Sequence, residues 1–287
     1  MTTTIIPQRL AAACRGTPER HAWLDQLPAA IRTVQDRWSL VLEAPFDGPE
    51  VSCSWVAPAT RPDGTRAILK LGMPHMEAEH ELEALRFWDG DPAVQLLAAD
   101  DDLNALLLER CEPGTPLRRL PEPEQDVVVA GLLRRLWRVP PEPHPFRPLA
   151  TMTAQWASET LADAARWPDA GLVQEGLRLF AELPRTARTN VLLATDLHAG
   201  NILRAQRAPW LVIDPKPFVG DPAYDATQHL LNCEGRLRVA PEATIRCFAD
   251  LLAVDHERVR LWMFARSAAE SRDVWDDDSI ALARVLA

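Results

Sequence analysis

"ATDLHAGNIL" (194–203) and "IDPKPFVGDPAYD" (213–225) hold the residues on which the fold turns. Asp196 is followed by Asn201 five positions on, and Asp214 follows thirteen residues later. A tight loop brings Asp196 and Asn201 to one cleft. Asp214, at the end of the apolar run "LVI", points from a strand end toward the same place. Carboxylate and amide oxygens suit Mg²⁺, a hard cation that completes its shell with water and phosphate. The carboxylate left over can orient a hydroxyl nucleophile or accept its proton. That division of labour belongs to phosphoryl transfer, in which D-x-x-x-x-N and a later Asp supply the base and the metal ligands. Taken alone the spacing is weak, because Asp and Asn are common turn residues.

Support comes from upstream. From Trp38 the texture is β-type: "WSLVLEAP", "VSCSWVAPA" and "RAILKLG", with "RPDGT" as a turn, then a further strand from Ala105 to Leu108. Lys70 ends the apolar strand "AILK". The next segment, "MEAEHELEALRFWDG" (76–90), predicts a helix ended by Gly90 and carries Glu77, Glu79, Glu81 and Glu83. At ~100° per residue, Glu81 shares the apolar stripe of Ala78, Leu82, Leu85 and Trp88, while Glu79 and Glu83 face away. A carboxylate on a buried stripe needs a cation, and Lys70 is the candidate. Residues 8–36 read as helical with an interruption near Pro28, and helices are expected at about 124–138, 152–166 and 171–183 and through 241–286. The chain is therefore expected to divide into a helical segment (1–37), a small lobe of strands and one helix (38–112) and a larger helical lobe (113–287), with a seam near 110–116.

Composition narrows the functions. The formal net charge of −10 disfavours nucleic-acid and anionic-membrane binding and is compatible with a cationic ligand. Five scattered cysteines without a CxxC pair fit a reducing interior. The N-terminus is a poor signal peptide, and no apolar run approaches ~18 residues, so a cytoplasmic location is expected.

Taken in order, Lys70, Glu81, the connector "LLLERCEPGTPL" (106–117), Asp196, Asn201 and Asp214 resemble the aminoglycoside phosphotransferase family. "LLATDLHAGNIL…WLVIDPKPFVGDPAYDATQHLLN" and "AEHELEALRFWDG" are similar to its streptomycin 6-phosphotransferase and hydroxyurea phosphotransferase branch, over roughly residues 38–275. The resemblance implies an α+β, two-lobed protein-kinase-like fold, with an antiparallel sheet of about five strands in 38–110. It implies Asp196 as catalytic base, Asn201 and Asp214 as Mg²⁺ ligands, and Lys70, held by Glu81, on the phosphates of ATP. Backbone groups from Glu109 to Cys111 would hold adenine, and Asp225 would brace the catalytic loop. Glu270 and Asp273, in "AAESRDVW", are candidates for the substrate side. His198 is expected to be structural. Lys216 reads equally well as a phosphate contact and as a solvated surface lysine.

Two departures from the family pattern stand out. Ala194-Thr195 replaces the usual His-Gly before the catalytic Asp, so the loop must be braced differently. No G-x-G-x-x-G precedes Lys70; "FDGPEVSCS" (46–54) offers Gly48, Ser52 and Ser54 instead. The expected activity is ATP-dependent O-phosphorylation of a small cationic aminoglycoside, with streptomycin foremost, by a monomer. Hydroxyurea or another hydroxylated metabolite is the alternative acceptor, and a non-catalytic nucleotide-binding protein is the reading from another class.

Overall fold

The computed structural model describes residues 4–48, 53–270, 275 and 277–287. The chain divides into two compact units, residues 1–115 with 204–211, and residues 116–203 with 212–287.

The first unit opens with α1 (Gln8–Ala13) and α2 (Pro18–Arg37). Thr17 caps α2 through its side chain, and Pro18 takes the first turn, where no N–H is needed. The break expected near Pro28 is absent: α2 runs through it, and the interruption lies instead at Cys14–Gly16, a 3₁₀ turn. Packing accounts for this, since Leu27, Ile31 and Val34 on either side of Pro28 are buried in one cluster and hold the helix together across the missing N–H.

Next comes a five-stranded antiparallel sheet of β1 (Val41–Leu42), β2 (Ser54–Thr60), β3 (Arg66–Gly72), β4 (Leu96–Asp100) and β5 (Ala105–Glu109), in the order β1-β2-β3-β5-β4. Between β3 and β4 lies α3 (Glu81–Trp88). Strand alternation decides what each face does. Ala57, Ala59, Ala67, Leu69, Leu71, Ala105 and Leu107 pack with Leu27, Ile31 and Val34, so the N-terminal helices cover one face of the sheet. Lys70, one position out of phase in β3, belongs to the other face. The helix expected over 76–90 is shorter: a 3₁₀ turn at Met76–Ala78 precedes His80 in a left-handed conformation (φ 67°), and α3 begins at Glu81.

The second unit is mainly helical. Its elements are α4 (Glu122–Leu136), α5 (Leu149–Ala162), α6 (Ala170–Glu182), strands β6 (Val191–Leu193), β7 (Ile202–Arg204), β8 (Trp210–Val212) and β9 (Phe218–Gly220), then α7 (Pro222–Leu231), α8 (Glu234–Val239), α9 (Pro241–Leu252), α10 (His256–Ala269) and α11 (Asp277–Leu286). The β7–β8 turn, residues 204–211, falls in the first unit. There the backbone of Arg204 exchanges hydrogen bonds with Gly114 and Thr115 at 3.0 and 2.9 Å. Arg207 donates to the Glu109 carboxylate and to the Ala93 carbonyl. Helix α10 packs on α6, α7, α9 and α11. Among the described residues, no helix is long and apolar enough to cross a membrane.

Candidate active site

Two short ladders shape the segment from Ala194 to Asp214. β6 pairs with β9, Leu193 opposite Phe218, and the pairing continues past the strands. There the Lys216 N–H donates to the Ala194 carbonyl at 2.9 Å. β7 pairs with β8, and the Ile213 N–H donates to the Asn201 carbonyl at 2.9 Å. The second ladder sets Asn201 beside the residue next to Asp214, which is how positions thirteen apart come together.

The loop between β6 and β7 is over-determined by hydrogen bonds. Thr195 sits at φ 43°, a left-handed conformation that β-branched residues rarely adopt and glycine adopts freely. The Thr that stands where the resembled pattern has Gly thus holds a backbone that glycine adopts freely. What holds Thr195 there is its N–H on Asp225 Oδ1 (2.8 Å) and its hydroxyl on the Lys216 carbonyl (2.6 Å). Asp225, 1% exposed on α7, also accepts from the Ala194 N–H and the Trp137 indole, both at 3.0 Å. Burial pushes its carboxyl up to about 6, although three N–H donors pull the other way. His198 Nδ1 accepts from the Gly200 N–H at 3.0 Å, a structural contact. Gly200 is required because a Cβ there would lie 2.6 Å from the His198 ring.

Asn201 Nδ2 donates to the Asp196 carbonyl at 3.0 Å. That bond engages the amide nitrogen inside the loop, and the amide oxygen is the atom of this side chain that could ligate a metal. Asp214 is also left-handed (φ 53°) and its side chain is 37% exposed. Two hard oxygen donors on a fixed backbone, one of them accessible, fit Mg²⁺. Lys216 is not a surface lysine: it is 6% exposed, and its ammonium lies 2.6 Å from Asp214 Oδ1.

Behind this loop stands Arg266 on α10, buried and stacked over the rings of Trp156 and Tyr224. It donates to Glu270 at 2.7 and 3.4 Å and to Thr227 and Gln228. Burial works against its charge, and the fields of Glu270, Tyr224 and Asp196 more than restore it. Glu270 and Asp196 therefore act on one buried cation. Asp273 and Ser52 lie outside the described residues. Ser54 is a buried residue of β2, and Gly48 has open space around it.

In the first unit, Lys70 Nζ contacts both oxygens of Glu81, at 2.5 and 2.6 Å, and each residue is 5% exposed. This is the pairing that the apolar stripe predicts. Glu83 lies instead near His80, at 3.7 Å. In the connector, the Glu109 carboxylate is taken up by Arg207 and the Gln95 N–H. Burial, with Glu109 nearby, pushes the Cys111 thiol up to about 12, so it is a protonated, unreactive group at neutral pH.

Sequence reading missed a cluster in the second unit. Asp126 on α4, His229 on α7 and Cys233 are buried with their donor atoms close enough to hold a metal ion. Arg236 fills that role, donating to Asp126 at 2.7 and 2.8 Å and to Cys233 at 3.2 Å. The four positions are spread over 110 residues with no local pattern.

Comparison with known proteins agrees with this architecture. The family model for aminoglycoside/hydroxyurea antibiotic resistance kinases matches residues 37–279. Streptomycin 6-kinase of Streptomyces glaucescens is 34% identical over 96% of this chain and 93% of its own length. Streptomycin 6-kinase of Streptomyces griseus is 35% identical over 91% and 86%, and hydroxyurea phosphotransferase of Kitasatospora aureofaciens 34% identical over 91% and 76%. Among solved structures, choline kinase of Streptococcus pneumoniae (TM-score 0.62, 13% identity, 90% of this chain, 97% of that one) and a macrolide 2'-phosphotransferase of Brachybacterium faecium (0.57, 16%, 90% and 97%) share the fold. The α+β protein-kinase-like fold is thus established, and with it the class of reaction: the chain belongs to the aminoglycoside/hydroxyurea antibiotic resistance kinase family and is a phosphotransferase.

Proposed function

We propose that this phosphotransferase moves the γ-phosphoryl group of ATP to a hydroxyl of a small cationic aminoglycoside, with streptomycin the first candidate. The observation that carries the reading is the braced loop, in which Asp196 and Asn201 are fixed five residues apart beside Asp214. Asp196 orients the acceptor hydroxyl and receives its proton. Asn201 and Asp214 would hold Mg²⁺, which when bound neutralises charge on the phosphates. Lys70, fixed by Glu81, contacts the phosphates, and the backbone from Glu109 to Cys111 takes the adenine; the first unit is in this reading the nucleotide-binding one. Glu270, anchored on Arg266, faces the cationic acceptor. A net charge of −10 favours such a substrate. The relatives at 34–35% identity include two streptomycin kinases. The third, named for hydroxyurea, supports that molecule as the alternative acceptor. Five free cysteines suit a reducing cytoplasm, and a monomer is sufficient for this chemistry.

The test is a phosphorylation assay with ATP and Mg²⁺ over streptomycin, other aminoglycosides and hydroxyurea, with the product located by ³¹P NMR. Streptomycin is expected to give a phosphate monoester. Asp196→Asn is expected to lower turnover by ~10²–10⁴-fold with ATP affinity kept. Product from hydroxyurea alone would transfer the reading to that acceptor, and full turnover in Asp196→Asn would remove Asp196 from the chemistry.

A further inference from the structure

Three sulfur side chains of the first unit converge where the N-terminal helices meet the sheet. Cys14 opens the 3₁₀ turn between α1 and α2 and is buried. Its Sγ lies 3.5 Å from Sδ of Met73, which is buried as well and stands 59 residues further on. Met73 directly follows β3, and its N–H donates to the Cys53 carbonyl at 2.9 Å. Ser54 pairs with Gly72 in the ladder, so Cys53 and Met73 are the next two residues to face each other. Side chains directly opposite in an antiparallel ladder share one face of the sheet. That face is the one the helices cover: Cys53 is half-buried against the cluster that holds Cys14, Trp55, Leu71 and Met73. Neither Cys14 nor Cys53 is in a disulfide.

Thiolate and thioether sulfurs are soft donors, and together they select Cu⁺ over the hard ions that oxygen ligands hold. Two ligand atoms 3.5 Å apart can both reach one ion at ~2.3 Å, the length of a metal–thiolate bond. Burial pushes the Cys14 thiol up, Arg20 on the first turn of α2 pulls it down, and Cys53 pushes it up. Arg20 and Cys53 are therefore both near enough to act on a charge at Cys14. The charges select a monovalent ion. Two thiolates carry two negative charges, and Cu⁺ with Arg20 supplies two positive ones. A divalent ion would leave one uncompensated positive charge against the apolar cluster. We propose that Cys14, Cys53 and Met73 hold the thiophilic monovalent ion Cu⁺ beneath the N-terminal helices, with Arg20 balancing the thiolate ligands. Loading displaces one proton from each thiol to solvent, forms the copper–sulfur bonds and leaves the copper oxidation state unchanged. The site is separate from the Lys70–Glu81 pair, because Lys70 belongs to the other face of the sheet. Its ligands come together only in the folded chain, so the ion pins the helical segment to the ends of β2 and β3 and stabilises the fold.

The experiment supplies Cu⁺ to the full chain under anaerobic conditions, with bicinchoninate in competition, and reads the copper environment by X-ray absorption on selenomethionine-labelled protein. Wild type is expected to retain about one Cu⁺ per chain, to show sulfur and selenium neighbours around the copper, and to melt at a higher temperature when loaded. The selenium neighbour is expected to vanish in Met73→Leu. Cys14→Ser and Cys53→Ser are each expected to lose the ion to the competitor, and Arg20→Gln to bind it ~10–100-fold more weakly. Because Cys14 is buried, Cys14→Ser can fail to fold; the half-buried Cys53 and the selenium signature then decide. Copper that is not retained against bicinchoninate overturns the proposal. So does copper with no selenium neighbour, copper held equally well by Cys53→Ser, or copper lost in a variant of the exposed Cys247, Cys247→Ser.

Discussion

Thr195 holds a left-handed backbone (φ 43°) that costs a β-branched residue on the order of 1–3 kcal/mol. Its hydroxyl bond to the Lys216 carbonyl returns about 1 kcal/mol of that. The two terms separate in a pair of variants. Thr195→Gly loses the bond and the strain together, so its stability is expected within about 1 kcal/mol of wild type. Thr195→Ala loses the bond and keeps the strain, so it is expected to be the less stable of the two in urea unfolding; the reverse order would contradict the account. Asp225, beneath this residue, makes a second prediction. Its folded carboxyl titrates near 6 against an ordinary 3.8. Between those values the folded state binds more protons than the unfolded one, so stability from this group is full below about 3.8 and is lost as pH rises through about 6. The loss amounts to about 3 kcal/mol. Asp225→Asn does not titrate there, so the stability of wild type relative to this variant is expected to fall by that amount between pH 4 and 7. A pH-independent difference would contradict the shift. The candidate site at this scale was half legible. Residue types single out Asp196, Asn201 and Asp214 as candidates, but the hydroxyl-to-carbonyl bond of Thr195 joins a side chain to backbone 21 residues away, and no residue pattern encodes that.

At the scale of single elements, helix α3 and strand β3 form one device. Glu81 is buried because it lies in phase with Leu82, Leu85 and Trp88, and Lys70 is buried because it lies out of phase with Leu69 and Leu71. Each periodicity is written in the sequence, which is why the pair was legible. The start of α3 was not: nothing in "MEAEHELEA" announces that His80 turns left-handed. Pro28 misled for the opposite reason, since burial on both sides outweighs one missing hydrogen bond. Glu81→Gln strands a buried ammonium and is expected to cost about 3–5 kcal/mol in urea unfolding, with loss of phosphoryl transfer. Glu83→Gln, 3.7 Å from His80 on a more exposed flank, is expected to change stability by less than about 0.5 kcal/mol. The double variant Lys70→Met/Glu81→Met removes both charges and is expected to regain most of the stability without the activity. Equal stability losses from Glu81→Gln and Glu83→Gln would refute the pairing argument.

Across the molecule, the N-terminal segment is structural. Leu10, Cys14, Leu27, Ile31 and Val34 share one buried cluster with the sheet, and the Trp55 indole donates to the Ile5 carbonyl at 3.0 Å. Composition marks residues 8–36 as helical, but only long-range packing shows what they cover. Deleting residues 1–37 would bare an apolar sheet face, and the shortened chain is expected to aggregate on gel filtration and bind no ATP analogue. A monodisperse, nucleotide-binding deletion would contradict this. The first unit is discontinuous along the chain. Its last piece, residues 204–211, is separated from residue 115 by residues 116–203 of the other unit. As the chain leaves the ribosome, the sheet emerges first, yet the Glu109 carboxylate waits for Arg207 and the Thr115 carbonyl for Arg204. The unit translated first is thus finished only after a large part of its neighbour has been made. Chains stalled with Leu203 just outside the exit tunnel are expected to be cut by protease within residues 1–115, and chains stalled beyond Leu211 to resist. For this chain, then, the order of translation and the order of folding diverge.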